Sequence, residues 1–281
     1  MRIGIGLPNA VMGSPAELIT EWAKAAEAAS FSSVAAHDRL AYDSWEPIAS
    51  LAAAAAVTRS VELACLVAIA PIRSTAVLAK EAGTVDAIAR GRLVLGLGVG
   101  PRADDYALAG ADFNRRGRTF EDQLVELRQL WRSGPLRLWS GRPRPRLLLG
   151  GASDAALMRA ARFADGYVHN GGPARAFRSA AERVFSAWSE AGRERPPELW
   201  GLGYFALGDS AHELGRRHLL AYYGFTGRFA SRIAAGLLTT VAAVREFVLE
   251  YQEAGCDHLV LFPTVAALDQ VERLAEAVAA G

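Results

Sequence analysis

Arg92-Leu-Val-Leu-Gly-Leu-Gly-Val99 is apolar after its first residue and runs into Gly100-Pro101-Arg102 and then the acidic Asp104-Asp105. A run of this length without polar alternation reads as a strand covered on both faces, the usual condition of a parallel sheet. A helix begins upstream at Ser74, and before it Val61 to Ile69 is another long apolar strand. Downstream, Phe120, Leu124, Leu127 and Trp131 keep helical spacing and predict a buried stripe.

The alternation extends to both ends. Ile3 to Leu7 and Val34 to His37 read as the first two strands. Ser14-Pro15-Ala16-Glu17 reads as a capped helix start, with Pro at the first helical position and Glu closing a capping box. An alanine-rich helix follows from about Pro47 to Thr58. Leu147 to Gly150, Gly166 to His169, Leu199 to Leu207 and His258 to Phe262 complete eight strands. Helical patterns follow each, at Ser153 to Phe163, Ala174 to Trp188, around Val244 to Tyr251, and Leu268 to Val278. Eight strand–helix units predict an α/β fold, a single (β/α)8 TIM barrel over residues 1–281. A doubly wound sheet would carry a Gly-x-Gly-x-x-Gly turn after its first strand, whereas Gly4 and Gly6 lie inside that strand. The segment from Gly134 to Arg146 interrupts the alternation and reads as a connecting loop.

Hydrophobic residues make up 51% of the 281 residues, enough for a large core, and the formal net charge is +1. That balance excludes a general nucleic-acid or acidic-membrane binder, which needs a basic excess. The one compact basic run, Arg142-Pro-Arg144-Pro-Arg146, reads as a solvated loop. Cys65 and Cys256 sit in apolar contexts without zinc-ligand spacing and read as buried thiols. The alternating glycines of the N-terminus lack the apolar stretch of a secretion signal, and Leu51 to Val57 is too short to span a bilayer. A cytoplasmic protein is expected.

In such a barrel the chemistry belongs to loops after the C-terminal ends of strands. That rule selects His37-Asp38-Arg39 after strand two, for which an ion pair tying the rim is the structural reading. It also selects Gly96, Gly98 and Gly100 after strand four, where missing side chains let a flat ligand approach the backbone or simply permit tight turns. After strand five, Gly150-Gly151-Ala152-Ser153 opens a helix whose bare amides suit a phosphate. His169-Asn170-Gly171-Gly172 follows strand six. His258 starts strand eight, at the opposite end, and reads as structural; His212 and His218 read as surface residues. No nucleophile–base order and no metal-ligand cluster stands out, so no metal is expected.

Several stretches together resemble the luciferase-like monooxygenase family, and within it the coenzyme F420-dependent oxidoreductases. They are Ile3-Gly-Ile-Gly-Leu-Pro8, His37-Asp-Arg-Leu40, Glu46-Pro47, Ala70-Pro-Ile-Arg-Ser74 and Leu78-Ala-Lys80. The most specific is Ala89-Arg-Gly-Arg-Leu-Val-Leu-Gly-Leu-Gly-Val-Gly100, joined by Leu149-Gly-Gly-Ala-Ser153 and Ala164-Asp-Gly-Tyr167. The resemblance covers nearly the whole chain. It implies a flavin or deazaflavin ring in the barrel mouth against strand three, with a cis peptide between Leu66 and Val67, and a cofactor phosphate beside Gly150, Gly151 and Ser153. Gly98 and Gly100 complete the expected cofactor wall. Deazaflavin dehydrogenases of the family commonly carry Asp-His after strand two. Here Asp38-Arg39 stands there and His37 comes one residue early, on the opposite face of the strand.

The reading is a two-electron oxidoreductase using reduced deazaflavin (F420) for hydride transfer to or from a small organic substrate. Asp38, Arg39 and His169 are the expected acid–base and polarising residues. The alternative is an FMN-dependent monooxygenase fed by a separate reductase; a non-catalytic flavin-binding barrel is a third. A homodimer is expected by resemblance, with the small-residue run Ala52 to Ala56 available for close helix packing. Substrate choice is expected to lie in Tyr42 to Trp45, Arg102 to Arg118 and Tyr222 to Arg232.

Overall fold

A computed structural model describes residues 1–132, 144–209 and 211–279. The strands are β1 (Arg2–Gly6), β2 (Ser33–Ala36), β3 (Glu62–Ile69), β4 (Leu93–Gly98), β5 (Arg146–Gly150), β6 (Gly166–Val168), β7 (Glu198–Phe205) and β8 (His258–Pro263). The helices between them are α1 (Leu18–Ala28), α2 (Pro47–Val57), α3 (Thr75–Ile88), α4 (Ala103–Ala109), α5 (Arg116–Arg132) and α6 (Asp154–Phe163). α7 (Ala174–Glu190), α8 (Ala211–Tyr222), α9 (Phe229–Ala235), α10 (Val241–Glu253) and α11 (Asp269–Ala279) follow. All strands pair in parallel, each with its sequence neighbour, and β1 pairs with β8, so the sheet closes into a (β/α)8 barrel. The observed strands match the expected ones to within two residues. The expected excursion from Gly134 onward lies outside the described residues as far as position 143.

Strand alternation sorts the side chains into two cores. One lies between strands and helices and includes Trp22, Phe120, Leu124, Leu127, Phe177 and Tyr251. The other fills the barrel lumen with Ala35, Ala64, Leu66, Val94, Leu148, Val168, Trp200, Leu202, Val260 and Phe262. The lumen is closed at its N-terminal end by charge. Arg2, Glu62, Arg146 and Glu198, from strands β1, β3, β5 and β7, form a ring in which each guanidinium meets both carboxylates. Alternate strands supply the four members of one layer, as barrel geometry requires. His258 lies in this end, stacked on Trp200 at 3.8 Å and bonded through Nε2 to Ser33 Oγ at 2.9 Å. Its structural reading holds. The solvated-loop reading of the basic run does not hold for its described part: Arg146 joins this ring and Arg144 pairs with Asp165, because carboxylates stand at the starts of β3, β6 and β7; Arg142 lies outside the described residues.

Two local expectations are corrected. α1 begins at Leu18, and Ser14 makes no cap: its Oγ is buried without a partner while its carbonyl accepts the Trp45 indole N–H at 2.8 Å. With Ser14 held there, Pro15 to Glu17 lead in through tight i to i+3 turns. Ser74 occupies the N-cap of α3 but its side chain does not cap. Ser153, Thr240 and Glu46 do cap, each accepting from the backbone N–H three residues on.

At the C-terminal end the Leu66–Val67 peptide is cis, as the resemblance implied, and the β3–β4 register shifts between Cys65 and Ala68. The Val67 side chain enters space left by glycines. A Cβ on Gly98 would lie 2.8 Å from Val67 Cγ2, and one on Gly150 would lie 3.5 Å from Val67 Cγ1. On Gly96 a Cβ would lie 2.2 Å from the Cys65 carbonyl oxygen, a clash with backbone that cannot yield as a flexible side chain does. Gly96→Ala is therefore expected to cost about 2 kcal/mol, the usual scale of overpacking. A denaturation midpoint equal to wild type would contradict this packing.

Candidate functional site

The three residues that leave β2 go to three different places. His37 continues the inward row of Ser33 and Ala35 and enters the barrel mouth, its ring stacked on Phe262 at 3.6 Å. Asp38 points the other way. Its Oδ2 accepts the Ile69 N–H at 2.7 Å and pairs with Arg73 at 2.9 Å, and Arg73 also reaches Glu46. Asp38 is the rim ion pair of the structural reading. Arg39 is buried: its Nε lies 3.4 Å from Asp105 and its guanidinium sits 4.8 Å over Tyr42 and 5.1 Å over Tyr222. Asp105 also accepts the Leu40 and Ala41 N–H groups, and Arg102 bonds the Tyr222 carbonyl beside Arg39. Arg39 thus ties the β2 loop, α4 and α8 together.

His169 lies on the other side of the mouth. Val168 before it points into the lumen, so His169 faces outward and meets Phe177 of α7 edge-on at 5.7 Å. Its Nδ1 is buried with no hydrogen-bond partner. Asp38, Arg39 and His169 therefore do not converge; strand alternation sends Asp38 and His169 out of the lumen.

A different cluster occupies the mouth. His37 Nδ1 lies 2.9 Å from the Leu66 carbonyl oxygen, which only accepts, so Nδ1 carries the proton. His37 Nε2 is then an acceptor, and Tyr204 Oη of β7 lies 3.2 Å from it. Tyr223, just beyond α8, places its Oη 2.5 Å from Tyr204 Oη. Tyr222 packs beside them, with His218 against it at 5.8 Å. His218 is thus half-buried, one turn before Tyr222 on the same helix, which corrects its surface reading. Burial pulls His37 and His218 down to about 4. It also pushes Tyr204 and Tyr223 up, so the cluster is neutral near pH 7. Tyr204 lies outside every stretch singled out as functional in the sequence, and Tyr223 lies in one assigned to substrate choice without a role of its own. The inward parity of Tyr204 with Trp200 and Leu202 was the one local signal available.

The opposite wall is uncharged. Val67, Gly98, Gly100 and Gly150 line it, with Gly151 at φ +133° leading into the N-terminus of α6. Ser153 caps that helix, and its hydroxyl hydrogen stays free to donate. Among the described residues no group of three His, Cys, Asp or Glu side chains is placed to hold a metal ion. No helix among them is long and apolar enough to cross a membrane.

Two outcomes follow from this geometry. Asp38→Ala leaves Arg73 with Glu46 alone and the Ile69 N–H without its acceptor, and is expected to destabilise the fold by about 3 kcal/mol, the scale for a buried pair losing one member; an unchanged urea midpoint would contradict the assignment. The pH dependence has a definite sign. His37, His169 and His218 are held down to about 4 and His258 to about 2 by burial, against 6.5 ordinarily. The unfolded chain binds the extra protons, so stability is full above pH 6.5 and falls as pH drops through the window from 6.5 toward 4, His258 extending the loss lower. Urea midpoints measured at successive pH values from about 7.5 down to 4 are expected to fall steadily below pH 6.5; a flat profile would contradict it.

A family model described as luciferase-like monooxygenase matches residues 1–246. An uncharacterised protein of Mycobacterium tuberculosis, Rv0940c, is 34% identical over 213 residues, spanning 63% of this chain and 73% of its own. An F420-dependent secondary alcohol dehydrogenase, solved with an F420–acetone adduct, superposes with a TM-score of 0.83 at 16% identity, covering 99% of this chain and 98% of its own. The monooxygenase RslO1 of Streptomyces bottropensis superposes at 0.77 with 21% identity, covering 100% and 99%. At such identities the structures establish a shared fold alone. The matched length of the family model, on a closed barrel with a cis peptide at the expected bond, makes this chain a member of the luciferase-like monooxygenase family.

Proposed function

We propose that the protein is an F420-dependent oxidoreductase that moves a hydride between deazaflavin and a small neutral alcohol or carbonyl compound. The observation that carries this reading is the pairing, across one barrel mouth, of an uncharged glycine-lined wall with a neutral imidazole–phenol cluster.

The residues present fit the cofactor. Gly98, Gly100 and Gly150 keep the wall free of protruding side chains, so a flat ring meets Val67 and backbone there. Gly151, the Ser153 hydroxyl and the amides opening α6 offer hydrogen-bond donors to a phosphate. His169 follows β6, whose Val168 pairs with Gly150, and its Nδ1 is a buried polar atom lacking a partner. His169 therefore belongs to cofactor binding rather than to proton transfer in this reading. When bound, deazaflavin supplies the hydride acceptor or donor.

The chain's own residues do the rest. Phe262, Tyr222 and Val67 exclude water from the mouth, and the described residues bring no lysine, arginine or carboxylate onto the His37–Tyr204–Tyr223 cluster by a hydrogen bond. A neutral substrate suits such a place, because an anion there would lack a partner. The alcohol–carbonyl pair is the chemistry that the F420–acetone adduct of the structural relative exemplifies, and the hydroxyl–imidazole cluster suits it.

The test is cofactor titration followed by turnover. Purified protein is expected to bind F420 with micromolar affinity or better, on the order of 10⁻⁶ M or below. It is expected to oxidise a panel of small secondary alcohols, or reduce the ketones, without oxygen uptake. Oxygen consumption tracking product with reduced FMN, and none with F420, would establish the monooxygenase alternative instead.

A further inference from the structure

Both nitrogens of His37 are engaged. Nδ1 donates to the Leu66 carbonyl at 2.9 Å and Nε2 faces Tyr204 Oη at 3.2 Å. An imidazole so held reaches a reactant only through its neighbour. We propose that Tyr204 is the catalytic residue that exchanges a proton with the reactant oxygen, with His37 as the base behind it and Tyr223 as the residue that positions its hydroxyl. The inference rests on the alcohol–carbonyl reading above and goes further by assigning the proton to named atoms.

The hydrogen-bond arithmetic supports it. A phenol has one hydrogen and two lone pairs. In Tyr204 the hydrogen points to His37 Nε2, one lone pair accepts the Tyr223 hydrogen at 2.5 Å, and the second lone pair is left for a reactant hydroxyl. Tyr204 is half-buried, on the inward row of β7, and packs against the lumen cluster together with Val67. The proton-transfer half of alcohol oxidation then balances. The reactant O–H bond breaks as a new Tyr204 O–H bond forms, and the hydrogen that Tyr204 held passes to His37 Nε2. The reactant oxygen gains the negative charge and His37 the positive one, opposite the Leu66 carbonyl dipole. Ketone reduction runs the same path backward, the reactant oxygen taking the Tyr204 hydrogen and Tyr204 recovering one from His37.

The groups facing this relay are few. They are the Leu66 carbonyl from β3, Phe262 from β8, Tyr222, Tyr223 and His218 from the α8 end, and the Arg39 guanidinium, which lies over Tyr222 and acts on Tyr223 through its charge. No carboxylate among the described residues hydrogen-bonds to His37, Tyr204 or Tyr223, so no carboxylate shares their proton. Burial holds the Tyr204 phenol well above its ordinary range, which keeps its hydrogen in place until the reactant's arrives. Tyr223 hands its own hydrogen to Tyr204, which fixes the Tyr204 hydroxyl rotor toward His37. Its own ordering comes from the η-turn at Gly224–Thr226, where Thr226 Oγ1 donates to the Tyr223 carbonyl at 2.8 Å.

The experiment has two arms. In the first, histidine-¹⁵N NMR of the protein without cofactor reads His37 directly. Wild type is expected to show the Nδ1–H tautomer with Nε2 as an accepting nitrogen. In Tyr204→Phe the tautomer persists and the Nε2 resonance moves to the position of a free acceptor; Tyr223→Phe moves it less. A protonated Nε2 in wild type, or an Nε2 resonance unmoved in Tyr204→Phe, overturns the relay. In the second arm, propan-2-ol oxidation with F420 is followed against pH. Tyr204→Phe is expected to lower kcat about 10²-fold, the scale of a lost acid–base group, with F420 binding unchanged. Tyr223→Phe is expected to lower kcat about tenfold, the scale of one hydrogen bond, with KM little moved and a larger solvent isotope effect. Near-wild-type kcat in Tyr204→Phe overturns the relay alone. Failure of wild type to bind F420 or turn over any alcohol–ketone pair overturns the parent reading, and the catalytic role of the relay with it.

Discussion

A closed eight-stranded barrel has room in each layer for only a few inward side chains, and that restriction governs this molecule from end to end. At the N-terminal end the layer is ionic, Arg2 and Arg146 alternating with Glu62 and Glu198. The middle is filled by Trp200, Leu148, Val94 and Val260. At the mouth the filling becomes lopsided. Glycines on β4 and β5 give their volume to Val67, while β2, β7 and β8 contribute the large rings of His37, Tyr204 and Phe262. One side of the mouth is consequently flat and uncharged, and the other carries the His37, Tyr204 and Tyr223 side chains.

The same restriction explains why neighbours in sequence part company. His37 and Asp38 are adjacent, yet parity sends one into the mouth and the other to Arg73 on the rim. The polar run after β2 serves two purposes: Asp38 and Arg39 fasten the loops that surround the mouth, and His37 occupies it. The rim supports the His37 tautomer, because the Leu66 carbonyl that selects it belongs to the bulged segment of β3, whose Ile69 N–H is held by Asp38.

The barrel itself was legible from local pattern. Eight apolar runs separated by helical spacing admit little else, and the order of short motifs around Leu93–Gly98 marked the family. The cis bond at Leu66–Val67 came from resemblance, since Ala64-Cys65-Leu66-Val67 reads as a plain strand. The site was legible only in part. His37, Gly98, Gly150 and Ser153 stand out in the sequence because they follow strands. The partners of His37 do not, because Tyr204 meets it from 167 residues away and Tyr223 joins through Tyr204. A helix such as α8, polar along most of its length, gives no local sign that its last turn dips into a barrel. His218 was misplaced for that reason, and His169 was overvalued because the parity of the short strand β6 was not counted from Val168.

The proposed function requires cofactor and proton relay to face each other across this mouth. The direct measurement is a crystal structure of the protein with oxidised F420. The account expects the deazaflavin ring against Val67, its phosphate at Gly151 to Ser153, and its reactive face toward Tyr204. A ring bound elsewhere, or one turning its reactive face away from Tyr204 and His37, would contradict it.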